Sequence, residues 1–178
     1  MDNPVYVAIS RQAGLFKELQ TVANNMANIS TTGFRREGVV FAEMLAVVPA
    51  EGGSLAMTAA RARYTDDLQG GLTQTGGTFD LAIEGAGVMA VMTPMGERLT
   101  RAGAFARSAS GEVVTMEGYP LLDTGKSPVF VPGDAVSIGI GADGTVSADG
   151  APVAQVGLFD VESPEFLVRE DGVRFRAD

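Results

Sequence analysis

Along the first 29 residues, apolar side chains recur at alternating steps of four and three: Met1, Val5, Ala8, Gln12, Leu15, Leu19, Val22, Met26 and Ile29. Only Gln12 breaks the series. This rhythm is the a/d seam of a heptad helix. Asn3 is a good N-cap and Pro4 suits the first helical position. Gly14 interrupts the helix at a cost of about 1 kcal/mol relative to alanine. At ~1.5 Å per residue such a helix spans roughly 40 Å, longer than a β domain built from the rest of the chain. Part of the seam should therefore overhang and take another helix, and no later segment carries a matching pattern.

After about residue 35 the pattern becomes β-like. Candidate strands are Val39–Val48, Ala60–Tyr64, Leu72–Thr75, Phe79–Ile83, Val88–Thr93, Arg98–Arg101, Phe105–Arg107 and Val113–Met116. Tyr119–Leu122, Val129–Val131, Val136–Ile140, Thr145–Ala148, Val153–Phe159, Phe166–Val168 and Val173–Arg176 follow. Turn dipeptides separate them, among them Ser110-Gly111, Asp143-Gly144, Asp149-Gly150 and Asp171-Gly172. Residues 49–60 read as a flexible crossing loop. The pattern predicts a mainly β protein: an irregular sandwich- or barrel-like domain of short strands, with one long N-terminal helix as the unpaired half of a coiled coil. The expected parts are a helical assembly segment at 1–34, an extended or β connector at 35–70 and a β-rich outer domain at 71–178.

Composition narrows the chemistry. The 178 residues hold 23 Gly and 8 Pro, in keeping with many turns. They hold no His, Cys or Trp. That excludes a zinc finger, a thiol nucleophile, a Ser-His-Asp triad and any disulfide. The net charge of −9 disfavours nucleic acid as a partner. No apolar run reaches the ~20 residues that span a membrane. The N-terminus lacks the basic and apolar regions of a cleaved signal peptide.

The remaining motifs are weak. Asp123-Thr124-Gly125-Lys126-Ser127 ends like a phosphate loop, but position 120 is Pro where the pattern needs Gly. Gly85-Ala86-Gly87 lacks the third glycine and the βαβ setting of a dinucleotide site. Asp143-Gly144 and Asp149-Gly150 read as hairpin turns rather than calcium loops. Asn28-Ile29-Ser30 matches a glycosylation acceptor that carries no weight without a secretion signal. The close carboxylates Asp66-Asp67, Glu162/Glu165 and Glu170-Asp171 sit in turn-like surroundings that should leave them solvated with ordinary pKa values. No catalytic, cofactor-binding or metal-binding set emerges, and no small-molecule substrate.

The specific stretch is Ala23-Asn24-Asn25-Met26-Ala27-Asn28-Ile29-Ser30-Thr31-Thr32-Gly33-Phe34-Arg35. Read alone it is a helix C-terminus with a polar cap: Asn amides bond locally, Gly33 supplies positive φ, and Phe34 folds back as an apolar anchor. It resembles the signature of the bacterial flagellar axial proteins, the rod and hook family, whose pattern runs close to Ala-Asn-Asn-Leu-Ala-Asn-x-x-Thr-x-Gly-Phe-Lys/Arg. Phe79-Asp80-Leu81-Ala82-Ile83-Glu84-Gly85-Ala86-Gly87 and Leu99-Thr100-Arg101-Ala102-Gly103-Ala104-Phe105 are similar to two further family blocks. Val114-Thr115-Met116-Glu117-Gly118-Tyr119-Pro120-Leu121-Leu122 follows in the family's order. The opening Met1-Asp2-Asn3-Pro4-Val5-Tyr6-Val7-Ala8 looks more like the proximal-rod branch than the distal-rod branch.

The resemblance implies a non-catalytic structural subunit of the proximal rod in the flagellar basal body. Its expected partners are other rod proteins and further copies of itself, packed through helices in a helical assembly that crosses the periplasm. Export through the flagellum's own type III channel, with no cleaved signal, is implied too. Val5, Leu15, Leu19, Val22, Met26 and Ile29 would form the assembly seam. Asn24, Asn25, Asn28, Gly33 and Phe34 would fix the turn from helix to outer domain. The family places an aromatic after Gly-x-Gly, where this sequence has Val88-Met89. It also has a C-terminal helix, where this sequence ends in β-like residues, which implies a shortened form that lacks the intramolecular partner of its own helix. A distal-rod or hook paralogue, or a secreted β-rich binding module, are the alternatives.

Overall fold

A computed structural model describes residues 3–47, 54–66, 68–161 and 167–177. Met1, Val48, residues 49–53 of the expected crossing loop, Asp67, the Glu162/Glu165 pair and Phe166 lie outside the described residues. The chain forms one long helix and small antiparallel sheets, the mainly β class that the pattern predicts; among the described residues no sheet closes into a barrel. It divides into two compact units. One comprises residues 1–30 and 35–68, the other 31–34 and 69–178.

In the first unit, helix α1 spans Asn3–Ala27 and runs straight through Gly14. Strands β1 (Glu37–Val47) and β2 (Ser54–Thr65) form an antiparallel hairpin from Glu37↔Thr65 to Val47↔Ser54, with an irregularity at Val40/Phe41. Residues 54–60, expected in the crossing loop, belong instead to β2. That stretch, Ser-Leu-Ala-Met-Thr-Ala-Ala, is poor in β-branched and aromatic residues, so its strand character comes from pairing with β1 and not from propensity. Opposite Gly38, the Tyr64 ring occupies the space a Cβ would need, covering backbone that glycine leaves bare.

Unit two carries the core. Strands β3 (Val88–Thr93), β4 (Gly96–Thr100), β10 (Leu158–Phe159), β11 (Leu167–Asp171) and β12 (Arg174–Ala177) form a five-stranded sheet in the order β10-β3-β4-β12-β11. Strands β5 (Phe105–Arg107) and β6 (Val113–Thr115) pair, as do β7 (Ile138–Ile140), β8 (Thr145–Ala148) and β9 (Ala151–Gln155). Alternation along β3 explains its continuous apolar run. Met89 and Val91 enter one core with Phe105, Val113, Leu121, Val129, Val131 and Val146, while Val88 and Ala90 enter a second with Leu99, Leu122 and Phe175. A strand buried on both faces reads as unbroken hydrophobics.

Some expected strands do not form ladders. Leu72–Thr75, bracketed by Gly70-Gly71 and Gly76-Gly77, has no strand partner among the described residues. Phe79–Ile83, Tyr119–Leu122 and Val129–Val131 are held by isolated bridges such as Asp80↔Ala104, Val91↔Leu121 and Glu112↔Phe130. Their backbones change partner every residue or two: Leu121 N–H donates to Val113, and Leu122 N–H donates to Ala90. Val153–Phe159 is split at Gly157, where a Cβ would meet the Asp123 carbonyl oxygen at 2.6 Å.

Candidate assembly site

The two sides of α1 are opposite in chemistry. Gly14 and Thr21 are buried, and Ser10, Asn25 and Asn28 are half-buried. At ~100° per residue these positions share one stripe of small and polar side chains. Gly14 lies 3.2 Å, measured from an ideal Cβ, from Cε1 of Phe41, so the glycine makes room for the ring of the β1 irregularity. Thr21 Oγ1 donates back to the Lys17 carbonyl at 3.1 Å, which satisfies the hydroxyl inside the helix.

On roughly the other side of the helix lies the predicted seam. Val5 (57% exposed), Leu15 (56%), Leu19 (66%), Val22 (52%), Met26 (70%) and Ile29 (86%) all face solvent. Ile9 and Phe16 widen the face and are exposed as well. Neither was in the predicted seam; both occupy the heptad position next to d, so the signal was present in the same periodicity. A contiguous row of large apolar side chains is an uncommon feature of a free surface and marks an interaction site.

The predicted corner residues fall into two groups. Asn25 belongs to the first unit, and its amide clasps the backbone of Glu37. Its Nδ2 donates to the Glu37 carbonyl at 2.8 Å and its Oδ1 accepts the Glu37 N–H at 2.9 Å. The side chain thus mimics a strand neighbour and ties the helix end to the start of β1. Asn28 Nδ2 donates to the Asn24 carbonyl at 2.9 Å and to Asn24 Oδ1 at 3.2 Å, closing the last helical turn. Gly33 and Phe34 belong to the second unit. Gly33 has φ +73°, and a Cβ there would collide with the Arg101–Ala102 peptide. Phe34 N–H donates to the Thr31 carbonyl, and the Arg169 guanidinium lies over its ring.

The remaining polar motifs serve their own turns. Asp123 Oδ1 accepts the N–H groups of Gly125 and Ser127, and Lys126 Nζ contacts both Glu97 carboxylate oxygens at 3.1 and 2.9 Å. Asp143 accepts from the Thr145 N–H and hydroxyl, which hold its pKa below the ordinary value. Asp149 accepts from Val136 and Ser137 N–H. Two expectations about carboxylates need correction. Asp66 does not have an ordinary pKa: the Leu68 N–H and then the Arg36 guanidinium hold it low. Glu170 is not simply solvated, because Arg98 reaches it at 2.5 Å. A lowered pKa is the opposite of what a general acid needs near neutrality.

Comparison with known proteins gives this geometry a family. The description "Flagella basal body rod protein" matches residues 5–35, which hold most of α1 and the corner. "Flagellar hook protein FlgE/F/G D1 domain" matches residues 82–148 of the β unit. The flagellar basal-body rod protein FlgF of Rhizobium meliloti (strain 1021) is 36% identical over 171 residues, 96% of this chain and 70% of the relative. FlgF of Caulobacter vibrioides (strain ATCC 19089 / CIP 103742 / CB 15) is 39% identical over 164 residues, 89% of this chain and 66% of the relative. The rod protein FlgG of Bacillus subtilis (strain 168) is 35% identical over 159 residues, 80% of this chain and 59% of the relative. Alignment at this identity over nearly the whole chain, with both family descriptions falling in order, shows that the chain belongs to the flagellar basal-body rod and hook protein family.

Proposed function

We infer that the chain is a structural subunit of the flagellar basal-body rod and that the apolar face of α1 is its assembly surface. The observation that carries the second part is the division of the helix. Its small and polar stripe is used up on the β1–β2 hairpin, while Val5, Leu15, Leu19, Val22, Met26 and Ile29 remain exposed. A helix whose intramolecular contacts use its polar side presents its hydrophobic side for other helices. With Ile9 and Phe16 the face is broader than a strict a/d seam, which suits a bundle of several axial helices better than a single partner. Asn24, Asn25, Asn28, Gly33 and Phe34 hold the chain where it leaves the helix. The subunit works without catalysis, cofactor or small-molecule substrate, with other axial proteins and further copies as partners. It reaches the basal body through the flagellar export channel.

Expression in a flagellated bacterium that lacks its own counterpart, followed by isolation of hook–basal bodies, tests this. The chain should co-purify with the rod at detergent and salt concentrations that strip peripheral proteins. Recovery of the intact chain only in soluble fractions would contradict it.

A further inference from the structure

Residues 31–34 cluster with the β unit although residues 30 and 35 on either side do not. Gly33 seats this segment on the Arg101–Ala102 backbone. Beside Thr31 and Thr32 the surface opens instead into a cleft of about 500 Å³. The fourth residue is treated differently. Arg169 Cζ in β11 lies 4.8 Å from the Phe34 ring centroid and 4.7 Å from the ring centroid of Phe175 in β12. Phe175 is 4% exposed and belongs to the second core. Arg169 Nη1 also donates to the Gly172 carbonyl in the β11–β12 turn, which holds the guanidinium in place.

We propose that Arg169 is the positioning residue of the corner: its guanidinium, shared by a core aromatic and a linker aromatic, fastens Phe34 to the sheet. The chemistry selects arginine. A planar cation offers two faces for stacking and keeps its N–H donors in plane for the carbonyl. An ammonium is a compact, strongly hydrated point charge and does not stack flat against two rings. The inference rests on the reading of 31–34 as the corner that delivers the assembly helix, and extends it to a residue far away in sequence that no motif marks.

The test uses the full chain with Arg169→Met, which keeps an unbranched apolar stem, and Arg169→Lys, which keeps the charge. Amide exchange of Phe34 should accelerate about tenfold in both, while exchange of Leu99 in the β3–β4 ladder stays within about twofold. Lysine should fail to rescue. Unchanged exchange at Phe34 would overturn the proposal. Equal acceleration at Leu99 would overturn it too, because Arg169 would then be an ordinary part of the sheet. If Arg169→Met does not fold, a double-mutant cycle of Arg169→Lys with Phe34→Leu decides: coupling at the corner supports the clamp and additivity refutes it. In flagellated cells Arg169→Met should lower rod incorporation at least fivefold, and full incorporation would show that the clamp has no part in assembly. Failure of the assembly reading itself appears elsewhere, as full incorporation of a Leu19→Asp chain.

Discussion

Leu19→Asp separates an assembly surface from a core. Leu19 is 66% exposed in the isolated chain, so little of its burial contributes to folding. Substitution at such a position changes stability by no more than about 0.5 kcal/mol, a shift of roughly 2 °C or less in Tm. If the face assembles as proposed, neighbouring helices cover the same side chain in the rod. Full burial of a leucine contributes ~1.5–3 kcal/mol, so the two-thirds still exposed accounts for about 1–2 kcal/mol per subunit. The aspartate then adds the cost of desolvating an unpaired carboxylate, several kcal/mol more. The sum is at least about 3 kcal/mol, more than a hundredfold in association. Thr21→Asp is the mirror experiment: Thr21 is 4% exposed, on the hairpin side of the same helix. It should lower the helical melting temperature without any partner present. The assay is circular dichroism melting of both variants, with immunoblotting of isolated basal bodies. If Leu19→Asp melts as early as Thr21→Asp, or enters the rod as well as the parent, the apolar face of α1 is not an assembly surface.

Three further outcomes follow from the geometry. Asn25→Ala removes two hydrogen bonds from the Glu37 backbone and should cost about 1–3 kcal/mol, read as faster exchange of the Glu37 amide in particular. Gly33→Ala meets both a left-handed backbone and the Arg101–Ala102 peptide; the conformation alone costs roughly 1–2 kcal/mol, so the corner should loosen while β8 and β9, which belong to a separate sheet, keep their amide protection. Asp66 has a folded pKa below its unfolded value, so its contribution is complete above the unfolded pKa and is lost as pH falls through the folded one. The stability difference between the parent and Asp66→Asn should therefore be flat from neutral pH to about 4 and shrink below it; a difference that shrinks between pH 7 and 5 would contradict the assignment.

The helix was legible because its seam repeats for about four heptads with only Gln12 out of pattern, a length at which helical periodicity stands clear of a strand's. Phe105–Arg107 and Thr145–Ala148 were legible to the residue, since turn dipeptides close each one off. Other features depend on partners that local sequence does not announce. Gly14 reads as a defect until Phe41 is seen beside it. Asn25 reads as a polar cap until its amide is seen spanning to Glu37. Leu72–Thr75 reads as a strand but pairs with none among the described residues, and 54–60 lacks strand propensity but pairs with β1. The heptad pattern picked out the apolar face, all of which is exposed where only part was expected to overhang, and left open what the opposite face does; the hairpin supplies that. Nothing in the sequence links Arg169 to Phe34, because stacking across two turns and a sheet leaves no periodic trace.

On the proposed function, the apolar face of α1 is open in the free subunit and closed in the rod. The sequence contains no cysteine, so single-cysteine variants report without background from the chain itself. Val22→Cys should react rapidly with a maleimide in the free protein and be protected at least tenfold in isolated basal bodies, with protection also at Met26→Cys. Val136→Cys, at a position 94% exposed in the β unit, serves as the control for reagent access. If Val22→Cys and Met26→Cys react equally fast in the free and assembled states while the control reacts in both, the face is not an assembly surface and the account is wrong.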